Sequence, residues 1–215
     1  MSKLFNRLNL ALALALLVAT FFGFVLIPAG DNLPAHWNIS GAIDQFGPRS
    51  RVLIVLPLAA AVVAALLVGI EISFRRMQLG DVSRQFALVL SVCLALFAAK
   101  QASTVLIGLG HPVDVPRIVA ILQGLGLIAI GNMLPKQGTG SHTAIGKRNQ
   151  ARRQYRVSKL IGILFMVAGV ALFVAAMTAA SPKWLFALNL GGVVVAATSG
   201  LLYACLLAKL GPTQR

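Results

Sequence analysis

Carboxylates are scarce in this chain. Five Asp and Glu stand among 215 residues, and charged residues of both signs amount to 11%. A soluble domain carries nearer a quarter, so most of the chain cannot face water in the ordinary way. None of the acids lies deep within an apolar run, which excludes a carboxylate-based proton relay through a membrane. There is no HExxH, no nucleophile–base pair and no carboxylate dyad suited to hydrolysis, so no catalysis is expected. The two cysteines, Cys93 and Cys205, both fall inside apolar runs and offer neither a disulfide framework nor a zinc pattern. They read as small buried hydrophobes. Two of the histidines are equally unpromising as ligands: His36 and His111, with Asp31, Asp44 and Asp114, share no fixed helical spacing. No metal or other cofactor is expected. Short alternating runs of the barrel type are missing. No aromatic platform accompanies the basic residues, so direct nucleic-acid binding is not expected either. The run from Ser141 to Arg148 misses the P-loop pattern at its first glycine and at the Ser or Thr that holds Mg²⁺.

What the chain has is hydrophobic length. Apolar residues make up 58% of it, in blocks. A spanning helix needs about 20 predominantly apolar residues, and six candidates meet that rule: 8–28, 52–72, 86–109, 117–134, 160–180 and 184–208. Helices are expected because backbone exposed to lipid must satisfy its hydrogen bonds within the segment. The first run follows Lys3 and Arg7 as a signal peptide would. It is longer than a signal h-region, though, and the triplet Ile27-Pro28-Ala29 is a poor cleavage site. The fold class expected is therefore all-α: a polytopic helical bundle of six transmembrane helices, forming one membrane domain over 1–215.

The formal net charge is +14, and its placement gives an expected orientation. With both termini cytoplasmic, the inner side holds Lys3, Arg7, Arg75, Arg76, Arg84, the cations between Lys136 and Lys159, and Lys209 and Arg215. Only Arg49, Arg51, Arg117 and Lys183 remain outside, as the positive-inside rule requires. Two polar connections then stand out. The outer motif loop, 29–51, is turn-rich and carries a histidine, an indole and a carboxylate. Pro34 fixes its own φ and Gly41 permits unusual backbone angles, so a shaped loop is expected, with Asp44 paired to Arg49 or Arg51. The basic cytoplasmic loop, 135–159, carries Lys147, Arg148, Arg152, Arg153, Arg156 and Lys159. Its second half is expected to be a basic helix, lying on the membrane or extending the fifth span.

Two stretches resemble the SdpI-type bacterial immunity family with its N-terminal His-Trp-Asn membrane domain. The first is Pro34, His36-Trp37-Asn38, Gly41 and Asp44, followed by a second span that opens near Pro57. The other is Gly131-Asn132-Met133-Leu134-Pro135-Lys136 at the inner end of the fourth span, similar to a Gly-Asn-x-x-Pro-Lys element. Beyond it the pattern departs, because Ile145-Gly146-Lys147-Arg148 lacks the Thr-Pro-Trp expected there. The resemblance implies a multi-pass protein of the bacterial cytoplasmic membrane that protects against a secreted peptide toxin met on the outer face. It also implies signalling to a cytoplasmic regulator.

The residues add their own alternatives. Lys100 lies about nine residues, roughly 13 Å, below the outer end of its span. A cation there is expensive and is by default a functional candidate, unless it snorkels outwards along its stem. Gln101 is beside it, and Gln123 enters the next span to similar depth. These three would line the polar path of a small-solute transporter or channel. The basic loop would suit a platform for a soluble partner, or a contact with anionic lipid.

Overall fold

A computed structural model describes residues 4–76, 83–134 and 145–178, with a subset of positions between 181 and 194. The side chains of Arg75 and of 145–154 are outside the described set. The described chain is helical except for one hairpin. Its elements are α1 (Arg7–Leu26), β1 (Asn32–Trp37), β2 (Ile43–Pro48), α2 (Arg49–Arg76), α3 (Ser83–Gly108), α4 (Val115–Met133) and α5 (Ile145–Met177). All five helices contain a stretch long and apolar enough to cross a membrane. Their outward faces display large apolar side chains, such as Leu14 and Phe21 on α1, Leu58 and Leu66 on α2, and Leu164 and Val167 on α5. Water does not tolerate so continuous an apolar surface; a bilayer does. The protein is a membrane protein. Most of the sixth expected span, 184–208, lies outside the described residues.

Local chemistry sets the ends of the elements. Asn6 caps α1, its side chain accepting from the Asn9 backbone N–H at 2.9 Å. At the other end of α1 the free carbonyls of the last turn are met by Arg49. Its Nη1 donates to Phe24 O at 3.0 Å and also to Ile27 O. The guanidinium lies 5.4 Å from the centre of the Phe24 ring. Asp114 caps α4 by accepting from the Arg117 N–H at 3.1 Å, with Pro116 in the first turn. The second half of the basic loop is continuous with the fifth span, since α5 begins at Ile145.

Helix α3 is the hub, packed against α1, α2 and α4, while α4 carries α5 on its other side. Leu16, Ala60, Leu67, Leu90 and Leu94 join α1, α2 and α3. Asn9 is buried among them with its hydrogen bonds made. Its Nδ2 donates to Leu4 O at 2.7 Å and Ala87 O at 3.1 Å, and its Oδ1 accepts from the Ser91 hydroxyl at 2.5 Å. Glu71, also buried, accepts from the Ser83 hydroxyl at 2.7 Å. Between α4 and α5 the backbones themselves touch. A Cβ added at Gly124 would lie 2.8 Å from Gly169 O, and one at Gly131 would lie 2.5 Å from Gly162 O. Small residues at a membrane helix interface allow this approach.

The stretch expected as a loop is a two-stranded antiparallel hairpin. Asn32 pairs with Pro48, Leu33 with Gly47, Pro34 with Phe46, His36 with Gln45 and Trp37 with Ile43, with irregular register between Pro34 and Trp37. Proline demotes a strand prediction because it donates no ladder bond. A two-stranded ribbon leaves each strand an open edge, where that loss is harmless. The hairpin is docked on the bundle. Leu33 is fully buried with Ile27, Leu53 and Val105, and Gly108 leaves it space: a Cβ there would stand 2.5 Å from a Leu33 methyl.

Candidate functional site

The hairpin end of the bundle gathers the motif residues and divides their roles. Asn38 and Gly41 build the turn. Asn38 Oδ1 accepts from the Ser40 N–H at 2.9 Å, the Ser40 hydroxyl at 2.7 Å and the Ala42 N–H at 3.1 Å. The Asn38 backbone N–H donates to Ala42 O at 2.9 Å. Gly41 has φ of 76°, in the left-handed region that side chains with a Cβ resist. Pro34 is buried in β1 opposite Phe46. These three residues hold the shape.

His36 and Asp44 face outwards from that frame, and Trp37 is half-buried. His36 Nδ1 lies 2.7 Å from Asp44 Oδ1, with both side chains open to solvent. The carboxylate accepts from the ring N–H. This corrects the expectation that Asp44 pairs with Arg49 or Arg51. Cross-strand geometry brings His36 within reach of Asp44, and the carbonyls at the end of α1 occupy Arg49 instead.

Lys100 belongs to the same site. Its ammonium lies 5.3 Å from the centre of the Trp37 ring, a cation–π contact. The stem runs up α3 to the underside of the hairpin, where a cleft of about 270 Å³ opens between the hairpin, α2 and α3. Pro34, Gln45, Arg51, Val52 and Lys100 are among its lining residues. In the sequence Lys100 and Trp37 stand apart. No periodic pattern linked them, because they are 63 positions apart and meet only once the hairpin folds back on α3. In the sequence Arg51 stands out as an outer-side cation and a possible partner for Asp44. Its place with Lys100 on the cleft lining has no local signal.

The other expected residues fall elsewhere. Gln101 turns away from Lys100 into the three-helix contact. Its Nε2 donates to Leu53 O at 3.0 Å and to Thr20 Oγ1 at 3.1 Å. Gln123 is not on the cleft lining, and its amide stands against Gly192. Gly131 is buried in the α4–α5 contact, whereas Asn132 is exposed. Pro135 and Lys136 lie outside the described residues, as do the side chains of Lys147, Arg148, Arg152 and Arg153. Arg156 and Lys159 are exposed on α5. Among the described residues no three His, Cys, Asp or Glu side chains come together as a metal site would need.

The hairpin and the cleft beneath it can therefore present a fixed imidazole–carboxylate pair, an aromatic face and two cations to something arriving on that side. Compared with family models, curated proteins and solved structures, the chain matches none.

Proposed function

We propose that this chain is a multi-pass protein of the bacterial cytoplasmic membrane that recognises a secreted, envelope-acting toxin peptide on its outer face and gives its host tolerance. The activity is the one implied by the SdpI-type resemblance, and it involves no catalysis by this chain. One observation carries the reading: the resemblance residues Pro34, His36, Trp37, Asn38, Gly41 and Asp44 all sit on one small hairpin anchored by Leu33. Pro34, Asn38 and Gly41 serve its shape, so His36 and Trp37 are left to make contact.

The test compares survival with stability. His36→Ala combined with Trp37→Ala is expected to abolish tolerance to the toxin while lowering the melting temperature by no more than a few degrees. Neither side chain supplies apolar length to a span, and the Trp37–Lys100 contact contributes only about 0.5–2 kcal/mol. A parallel fall of tolerance and stability would return both residues to a purely structural role.

A second reading has its own observation. α5 runs unbroken from Ile145, so the basic segment is a helical extension of a span. We propose that this inner face recruits a soluble acidic regulator. Arg156→Gln with Lys159→Gln is expected to weaken binding of a poly-glutamate peptide to the reconstituted protein about thirtyfold, at about 1 kcal/mol per charge. Added salt should reproduce the defect in the unaltered protein. Binding that ignores both changes removes this reading.

A further inference from the structure

The cleft under the hairpin has two cations in its lining and no carboxylate. Arg51 comes from the first turn of α2, which contains no acidic residue, and Lys100 comes from α3. Of the acids at this end of the bundle, Asp44 pairs with His36 and Asp114 with Arg117, and Asp31 is not on the lining. Among the described residues neither Arg51 nor Lys100 forms an ion pair. Lys100 is half-buried, and the face of one indole compensates a desolvated ammonium only in part. An anion between the two cations completes that compensation.

The rest of the lining defines what carries the anion. Val52, Val55 and Leu56 form an apolar wall along α2, and Gln45 adds an amide at the hairpin rim. Val55 is 53% exposed on the outward side of α2, so the cleft opens sideways onto the zone that lipid chains cover. A small hydrophilic ion has no use for such a wall. The volume suits a head group and the first methylenes of its chains, not a whole lipid.

We infer that this cleft binds the anionic head group of a membrane lipid. The phosphate lies between Lys100 and Arg51, and the chains leave along Val52, Val55 and Leu56. The inference rests on reading the hairpin end as a recognition face and names a ligand class for it. Its test uses purified protein, so it is separable from survival. An unaltered protein that gives no tolerance yet binds the lipid would remove the toxin and leave the lipid.

Trp37 provides the readout, in a Trp184→Phe background that leaves it as the single indole. The protein, in neutral detergent, is titrated with a short-chain phosphatidylglycerol below its micelle concentration. Phosphatidylcholine of the same chain length and inorganic phosphate are titrated in parallel. Phosphatidylglycerol is expected to change Trp37 emission saturably, with the other two at least tenfold weaker. Lys100→Met and Arg51→Gln should each weaken phosphatidylglycerol at least tenfold, and Lys100→Arg should restore it to within about threefold. Arg51 is exposed and has no described internal bond, so Arg51→Gln decides the matter if Lys100→Met does not fold. Equal binding of phosphatidylcholine would overturn the role of the cations. Phosphate binding as tightly as the lipid would overturn the lipid as its source. No saturable response, or titrations unmoved by Arg51→Gln, would overturn the site itself.

Discussion

Gly131→Ala lowers the melting temperature of the detergent-solubilised protein by on the order of 10 °C, and Gly69→Ala does not lower it. The first expectation comes from what a methyl group would meet. At Gly131 it would stand 2.5 Å from Gly162 O and 2.9 Å from Met166 N. Both are backbone atoms of α5, so no rotamer change can relieve the clash and the helices must separate. Overpacking costs typically 1–3 kcal/mol and sometimes more. The upper end applies here, and at roughly 2–4 °C per kcal/mol for a chain of this size the shift follows. Gly169→Ala should behave alike, because its methyl would stand 2.6 Å from Gly124 O and 2.9 Å from Ile128 N. Gly69 is the control: it lies on α2 with nothing within 4 Å of an added Cβ. Differential scanning fluorimetry on the three variants decides it. A Gly131→Ala protein that melts with the unaltered one would mean that α4 and α5 do not meet backbone to backbone.

Gln101→Leu destabilises the protein by about 3 kcal/mol, and Pro57→Ala removes most of that loss. Pro57 lies inside α2 and has no N–H to donate to the carbonyl four residues earlier, that of Leu53. Gln101 supplies the missing donor from α3, at 3.0 Å. The same amide nitrogen donates to Thr20 Oγ1 on α1 at 3.1 Å, and that hydroxyl donates onward to Leu16 O at 2.8 Å. One side chain therefore joins three helices. Replacing it with Leu strands a carbonyl in a region without water, which costs about 1–3 kcal/mol by mutational measure, the upper part of that range applying within a bilayer. In a Pro57→Ala background residue 57 regains its N–H, the helix closes its own bond to Leu53, and Gln101→Leu should cost under about 1 kcal/mol. The coupling in this double-mutant cycle is then about 2 kcal/mol, measurable by denaturant titration in mixed micelles. Equal losses in both backgrounds would show that Gln101 does not serve the carbonyl that Pro57 frees.

Both predictions concern residues whose meaning the sequence left open. Gln101 reads there as a companion of Lys100 in a polar path, because adjacent polar residues in an apolar run attract one explanation. On a helix, neighbours in sequence point about 100° apart. Lys100 accordingly reaches the cleft while Gln101 enters the core. Gly131 reads as part of an inner-face motif, yet its nearest neighbours are Gly162 and Met166. The hairpin was partly legible. Pro34 and Gly41 announced a shaped loop, but a strand with a proline and little alternation gave no β signal.

What the sequence alone determined is the class of molecule and where its first five apolar runs form helices. Hydrophobic length is a local property, and crossing a bilayer demands about 20 apolar residues whatever surrounds them. The first four expected runs accordingly coincide with α1 to α4 to within a few residues, and the fifth with the apolar part of α5. Partner choice is not local. That Asp44 takes His36, Arg49 closes α1, Lys100 lies under Trp37, Gln101 serves Leu53 and Gly131 faces Gly162 was decided only by the tertiary structure. Each depends on the angle at which one helix or hairpin meets another. In an apolar bundle with so few charges, the hydropathy pattern does not encode that angle: a helix facing lipid on one side and protein on the other is apolar on both. Shape decides it instead, through glycine clefts and a handful of hydrogen bonds between residues far apart in the chain.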